Sequence, residues 1–224
     1  MINFKFYGHS CFSLDTGKGI ILVDPFFNDN PLTNTVPSDI DCQYILVSHA
    51  HFDHLGDADL IAKKNNATIV AIPEVLNLCK TATEKQPMNI GGSYSLPFGS
   101  VRMTPAIHSC GVAGGIACGF VININDGPTI YYSGDTALFS DMQIIGEKER
   151  IDYAILPIGD NFTMGKEDAA RAAHFLKARN VIPVHYNTWP AINQDPNIFK
   201  QTAESIAVVK VHIVNPGETL EFKK

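Results

Sequence analysis

The chain has no CxxC pair, and its cysteines (Cys11, Cys42, Cys79, Cys110 and Cys118) are odd in number. A disulfide framework is therefore not expected, and reduced thiols in a cytoplasm fit better. No apolar run approaches the ~20 residues that a membrane helix needs. The opening Met1-Ile-Asn-Phe-Lys-Phe-Tyr7 reads directly as a strand, without the basic stretch and apolar core of a secretory signal. Positive charge is also scarce. The formal net charge is −6, and no basic run is longer than Lys63-Lys64 or Lys223-Lys224, so a basic face for nucleic acid is not expected. The glycine-rich stretch from Gly111 to Gly119 lacks a GK[ST] ending, which excludes a phosphate loop and leaves a flexible hairpin reading. Repeats, low-complexity tracts and breaks in composition are absent.

What remains is ordinary for a globular enzyme: 45% hydrophobic and 18% charged residues in a chain of 224. Layered sheet folds run to ~200–250 residues as one unit, so residues 1–224 are expected to form a single domain. Short strands dominate about residues 2–23, and Pro31–Asp41 is a polar connection without periodicity. Further strands are expected at about 43–48, 68–72, 89–96, 101–107, 117–124, 129–133, 153–158, 181–185 and 209–214. Helices are expected at about 55–65, Pro73–Thr83, 137–147, 166–178 and 197–207. Apolar strands with amphipathic helices outside them give an α/β layered domain.

The densest chemistry lies directly after the strand-like Tyr44-Ile-Leu-Val-Ser48, in His49-Ala-His51-Phe-Asp53-His54. Neutral imidazole and carboxylate are ligands for zinc, manganese and iron. His49 and His51 are two apart and share a side on extended backbone. Asp53 and His54 follow a turn and can face a second point, so the segment is built for two adjacent metals. A chain with only 8 histidines does not assemble such a cluster as a casual polar turn. Downstream, His108, Asp135 and His185 each close a strand-like run, the position where sheet folds display reactive side chains. Each alone is an ordinary turn residue; joined to the first cluster they give five histidines and two aspartates.

The pattern HxHxDH, then His108, then Asp135 within Ser133-Gly-Asp-Thr136, then His185 resembles the metallo-β-lactamase superfamily of dinuclear hydrolases. Gly8-His-Ser-Cys-Phe12, Leu22-Val-Asp-Pro25 and Pro157-Ile-Gly-Asp-Asn-Phe-Thr-Met-Gly165 are similar to its compact branch of metal-dependent hydrolases, related to the ascorbate-lactone hydrolases. The resemblance implies an αββα four-layer sandwich with the site at one edge between the sheets. It also implies two divalent ions, zinc first, with manganese or iron as alternatives. His49, His51 and His108 would bind one ion; Asp53, His54 and His185 the other; Asp135 would bridge them together with a hydroxide. Such a hydroxide is nucleophilic at neutral pH because divalent ions lower the pKa of bound water from 15.7 to about 7. The activity implied is hydrolysis of a small ester, lactone, amide or phosphodiester, with Asp53 and Asp135 at the chemistry.

Residues beside the ligands have two readings each. Asp24 is either a turn former before Pro25 or the carboxylate that fixes a ligand imidazole. His9 is either a turn histidine or a group that touches substrate or donates a proton. Asp160, with Asn161 and Thr163, precedes a helix near Lys166; Asp160 is read toward the site and Thr163 as a cap. His174 and His212 are read as bystanders and Cys110 as a buried thiol. A small molecule is the expected partner, with no membrane, and a homo-oligomer is open. Two other activities stand behind hydrolysis of a small molecule. One is a nuclease, although no stretch is spare for a substrate arm. The other is an iron protein of oxygen or sulfur chemistry, although His51 stands where that branch has Glu.

Overall fold

The computed structural model describes residues 1–224. The strands are β1 (Ile2–Gly8), β2 (Cys11–Asp15), β3 (Ile20–Val23), β4 (Tyr44–Leu46), β5 (Thr68–Ala71), β6 (Lys85–Pro87), β7 (Ser93–Leu96), β8 (Gly99–Pro105), β9 (Cys118–Ile124), β10 (Thr129–Tyr132), β11 (Tyr153–Pro157), β12 (Asn180–Val184), β13 (Lys210–Val211) and β14 (Thr219–Phe222). They form two seven-stranded sheets, ordered β14-β1-β2-β3-β4-β5-β6 and β13-β12-β11-β10-β9-β8-β7. The helices are α1 (Phe52–Leu55), α2 (Ala58–Asn65), α3 (Pro73–Leu76), α4 (Met142–Lys148), α5 (Lys166–Phe175) and α6 (Pro196–Ile206). Helices α2 and α3 pack on the first sheet, and α5 and α6 on the second. The result is the αββα sandwich that the resemblance implied. No helix is long and apolar enough to cross a membrane.

Strand periodicity assigns the faces. Successive side chains point to opposite sides of a sheet. In β10, Ile130 and Tyr132 turn inward to the core between the sheets, whereas Tyr131 joins the helices outside. Tyr153 and Ile155 likewise face inward while Ala154 and Leu156 face α5 and α6. The sheets meet through large rings, such as Phe12 against Tyr132 at 5.3 Å between centroids. Small residues of α5 (Ala169, Ala172 and Ala173) let that helix lie close to its sheet.

Several elements differ from the sequence reading. The helix expected at about 55–65 begins only at Ala58, as α2; the short α1 precedes it, and Gly56, whose φ is +36°, divides the two. A Cβ there would lie 2.3 Å from the Pro25 carbonyl oxygen, so only glycine admits this close crossing. Helix α3 stops at Leu76 rather than near Thr83, because Asp59 captures the amides of Lys80, Thr81 and Ala82. The strand expected to reach Val214 keeps only Lys210–Val211, and Gly111–Ala117 is a turn-rich loop, not a hairpin. Strands β6 and β14 lay outside the sequence reading; β14 closes the first sheet by pairing with β1.

Asp57 fixes the loop after Asp24. Its Oδ2 accepts the amides of Phe27 (2.9 Å) and Asn28 (3.0 Å). Replacing Asp57 by Ala strands those donors, each worth roughly 1–3 kcal/mol when left without a partner. Denaturant melts of Asp57→Ala are therefore expected to show a loss of about 3 kcal/mol. A loss below about 0.5 kcal/mol would mean that water replaces the carboxylate freely.

Candidate metal centre

Strand direction explains why distant residues converge. Strands β3, β4 and β5 are parallel, and β1 shares their direction because two antiparallel pairings separate it from β3. In the second sheet β10, β11 and β12 are parallel, and β8 shares their direction through β9. All of these strands end at the same edge of the sandwich, where α/β folds place their sites. There the chain presents His9 after β1, Asp24 after β3, His49 after β4, His108 after β8, Asp135 after β10 and His185 after β12. The two sheets touch at this edge, the His185 amide donating to the His9 carbonyl at 2.7 Å. His9, Asp24 and His185 all have positive φ (57°, 42° and 54°). Non-glycine residues rarely accept this conformation, and it clusters at functional sites.

All seven sequence-predicted ligands come together. The ligand atoms of His49, His51 and His108 lie within 4.8 Å of one another, as do those of His49, His54 and Asp135. A third group, of four residues within the same distance, joins Asp53, His54 and His185 with His9. Asp135 Oδ2 lies between them, 3.0 Å from His185 Nε2, 3.3 Å from His54 Nε2 and 3.7 Å from His108 Nε2.

Asp24 does more than form a turn. Its Oδ1 accepts the Ser48 amide at 2.8 Å; its Oδ2 accepts the Ser48 hydroxyl (2.6 Å), the Tyr132 hydroxyl (2.6 Å) and His54 Nδ1 (2.7 Å). With its proton given to Asp24, Ser48 Oγ can only accept from His49 Nδ1, 2.9 Å away. One carboxylate thereby orients two imidazoles, turning Nε2 of His54 and, through Ser48, Nε2 of His49 toward the centre.

Burial governs the ionisation here. It lowers His49 well below the usual imidazole value, helped by His54, and lowers His108 as well. Burial alone would raise Asp53 and Asp135. For Asp53 the His9 hydrogen bond and the charges of His54 and His9 together outweigh it, and for Asp135 the charges and hydrogen bonds of His185 and His54 do, holding both carboxyls below their ordinary range. His54 moves oppositely: burial lowers it, but Asp135 and Asp24 more than offset this and raise it. The lowered imidazoles of His49 and His108 beside ionised carboxylates are the form that binds cations, and a bound cation would take the place of the His54 proton.

The residues fit divalent metal. His54 Nε2 and Asp135 Oδ1 are buried without a hydrogen-bond partner, a costly state that coordination would relieve. The donors, nitrogen and oxygen only, suit zinc, manganese or iron.

Two of the candidates stand behind the cavity wall rather than in it. His9 is 0% exposed and is not among the residues that line the cavity. Its Nε2 meets Asp53 Oδ2 at 2.9 Å and its Nδ1 meets Thr188 Oγ1 at 2.7 Å, which makes it a support for Asp53. Burial, then His185, lowers its pKa to about 4. Asp160 is exposed and also absent from the wall; its loop instead carries Phe162 to the rim. Its carbonyl accepts the amides of Phe162 and of Thr163 (2.9 Å), so it shapes a tight turn. His174 and His212 lie away from the site as expected: His174 is exposed on α5, and His212 meets Asn180 Oδ1 at 2.9 Å. Cys110 is a buried thiol, raised in pKa by burial.

The sequence reading missed Ser48, Tyr132, Thr188 and Trp189. For Tyr132 a signal existed, since strand alternation places it inward; for Thr188 and Trp189 there was none. The loop from Gly111 seats His51. At Gly111 (φ +77°) a Cβ would meet His51 Cδ2 at 2.7 Å, and the Ala50 amide donates to the Cys110 carbonyl at 2.7 Å. A cavity of about 490 Å³ opens over the centre, lined by His51, Asp53, His108, Asp135, His185, Ser109, Phe52, Phe162 and Trp189.

Known proteins resemble this chain in sequence and fold. Residues 20–186 match the family model described as "Beta-lactamase superfamily domain". A protein of Natranaerobius thermophilus named "UPF0173 metal-dependent hydrolase" is 45% identical over 219 residues, covering 97% of this chain and 98% of its own. A protein of the same name from Desulforamulus reducens is 47% identical over 228 residues, with the same coverage. The solved structure of Igni18, a metallo hydrolase from Ignicoccus hospitalis, superposes with a TM-score of 0.90 at 38% identity over 99% of both chains. Identity at that level, end to end, places this chain among the metal-dependent hydrolases of the metallo-β-lactamase superfamily.

Proposed function

We propose that the centre holds two divalent cations and that the protein hydrolyses a small ester, lactone, amide or phosphodiester. The observation that carries this reading is Asp135, whose carboxylate lies between the His49–His51–His108 set and the Asp53–His54–His185 set. Zinc suits the donors best, with manganese or iron also acceptable. Such cations, when bound, supply a nucleophilic water at neutral pH and polarise the bond to be broken. The chain's own groups prepare the place. Asp24 and Ser48 aim the imidazoles of His54 and His49, and His9 holds Asp53 ionised and oriented. Phe52, Phe162 and Trp189 shield the open side from bulk water, which strengthens every charge interaction within.

Metal analysis and a substrate screen test this together. Protein stripped by chelation and reloaded with zinc, manganese or iron is expected to take up about two ions per chain and to gain hydrolytic turnover. Generic esters, lactones and bis-p-nitrophenyl phosphate form the screen. Asp53→Ala is expected to keep one ion and lose turnover. A correctly folded chain that holds no ion would overturn the reading.

A further inference from the structure

From the wall of the cavity we infer the substrate's chemistry: a neutral ester or lactone that carries an aromatic or bulky apolar group close to the bond that is broken. This rests on the hydrolase reading above and narrows it. Nine side chains line the space; five are ligand candidates, one is Ser109, and the other three are Phe52, Phe162 and Trp189. None is Lys or Arg. An anionic substituent reaching beyond the reacting bond, and so beyond the cations that Asp53 and Asp135 would hold, would meet aromatic faces with no Lys or Arg to pair it. The same lack of cationic side chains disfavours a nucleic acid, whose flanking phosphates need Lys or Arg.

The rings are held in place rather than left over. Phe52 and Phe162 are 69% and 59% exposed, a large apolar surface in water beside a reactive centre. Phe52 opens α1, whose next two side chains, Asp53 and His54, are buried in the site. Its ring stands edge-on to Phe26 (88°, 5.9 Å) and 5.9 Å from Trp189, which packs in turn on His9 at 4.9 Å. Phe162 sits at the tip of a strained turn. The two residues before it, Asp160 and Asn161, both have positive φ (62° and 43°), and neither is glycine. The turn is closed by the Asp160 amide on the Met164 carbonyl and tied beside Asp135 by the Met164 amide on the Thr136 carbonyl, both at 3.0 Å. Strain maintained to present one exposed ring over a cavity of about 490 Å³ points to a bound apolar group as its partner.

The reaction balances simply. The oxygen of water bonds to the acyl carbon, the carbon–oxygen bond to the alkoxy group breaks, and a proton of water leaves with the alcohol. Methyl phenylacetate and monomethyl succinate, one neutral and aromatic and one anionic, separate the outcomes when acid release by the zinc-loaded protein is followed. The aromatic ester is expected to have a kcat/KM at least about tenfold higher. Phe162→Ala is expected to shrink that ratio about fivefold or more, mainly through KM for the aromatic ester. Trp189 is the single tryptophan of the chain, so its fluorescence reports occupancy without any turnover. Titration with 2-phenylacetamide is expected to change that emission at a concentration at least about tenfold below that needed with succinamate. Equal preference in both assays, or succinamate binding more tightly, would overturn the inference even if esters are hydrolysed. Failure of every ester with normal 2-phenylacetamide binding would instead sink the hydrolase reading and leave the aromatic site standing.

Discussion

Asp135→Asn is expected to lower kcat/KM of the zinc-loaded protein about a thousandfold or more while leaving the fold intact. The amide has the size of the carboxylate but neither its charge nor two equivalent oxygens, and Asp135 Oδ2 lies within 3.7 Å of imidazole nitrogens from both ligand sets. Losing the shared anion uncouples the two sets, so bound metal should fall below two per chain. His49→Ala attacks the same centre differently. His49, like His54, belongs to two of the three ligand groups, and its removal should abolish turnover as completely. It is 0% exposed, so the cavity left behind should also cost about 1–3 kcal/mol. Circular dichroism, metal content and turnover separate these effects. Near-normal turnover in either variant would refute the assigned roles.

Asp24→Ala should have the second-largest effect, and on both stability and metal affinity. Four buried donors converge on this carboxylate: the Ser48 amide and hydroxyl, the Tyr132 hydroxyl and His54 Nδ1. Left without an acceptor, each costs roughly 1–3 kcal/mol, and because neighbouring losses are not additive a total of about 4 kcal/mol is expected. For a chain of this size that is a fall in Tm of about 10 °C. Metal affinity should drop about 10- to 100-fold, the usual consequence of freeing a ligand imidazole to rotate. Tyr132→Phe provides the control. It removes one donor to Asp24 and leaves the carboxylate in place, and should cost about 1 kcal/mol while leaving metal affinity nearly unchanged. If Asp24→Ala melts like the native protein, water fills the gap and the carboxylate does not fix the imidazoles.

The ligands were legible because their signal is local. Three histidines and an aspartate within six residues need no tertiary knowledge to be read as a metal site, and His108, Asp135 and His185 each mark the end of an apolar run. Strand positions came through for the same reason, since inward and outward residues alternate along β10 and β11. Errors fell where a side chain from elsewhere overrides local preference. Asp59 ends α3 early from a position in α2, and Pro25 leaves room only for Gly56 between α1 and α2.

His9 and Asp160 show the limit most clearly. Both are polar residues at strand ends in matching motifs, and nothing within ten residues of either says which way it turns. His9 finds Asp53 44 positions away and Thr188 179 positions away, across the seam between the sheets. Asp160 spends its carbonyl on its own turn and sends Phe162 to the site in its place. The sequence alone determined the family, the seven candidate ligands and the positions of most strands, since these depend on residue type and short-range period. Only the tertiary structure decided which groups hold those ligands in register, and that aromatic rings without a cationic partner wall the cavity. Both depend on how two sheets and their loops meet in space, a contact between residues far apart in the chain that no local pattern encodes.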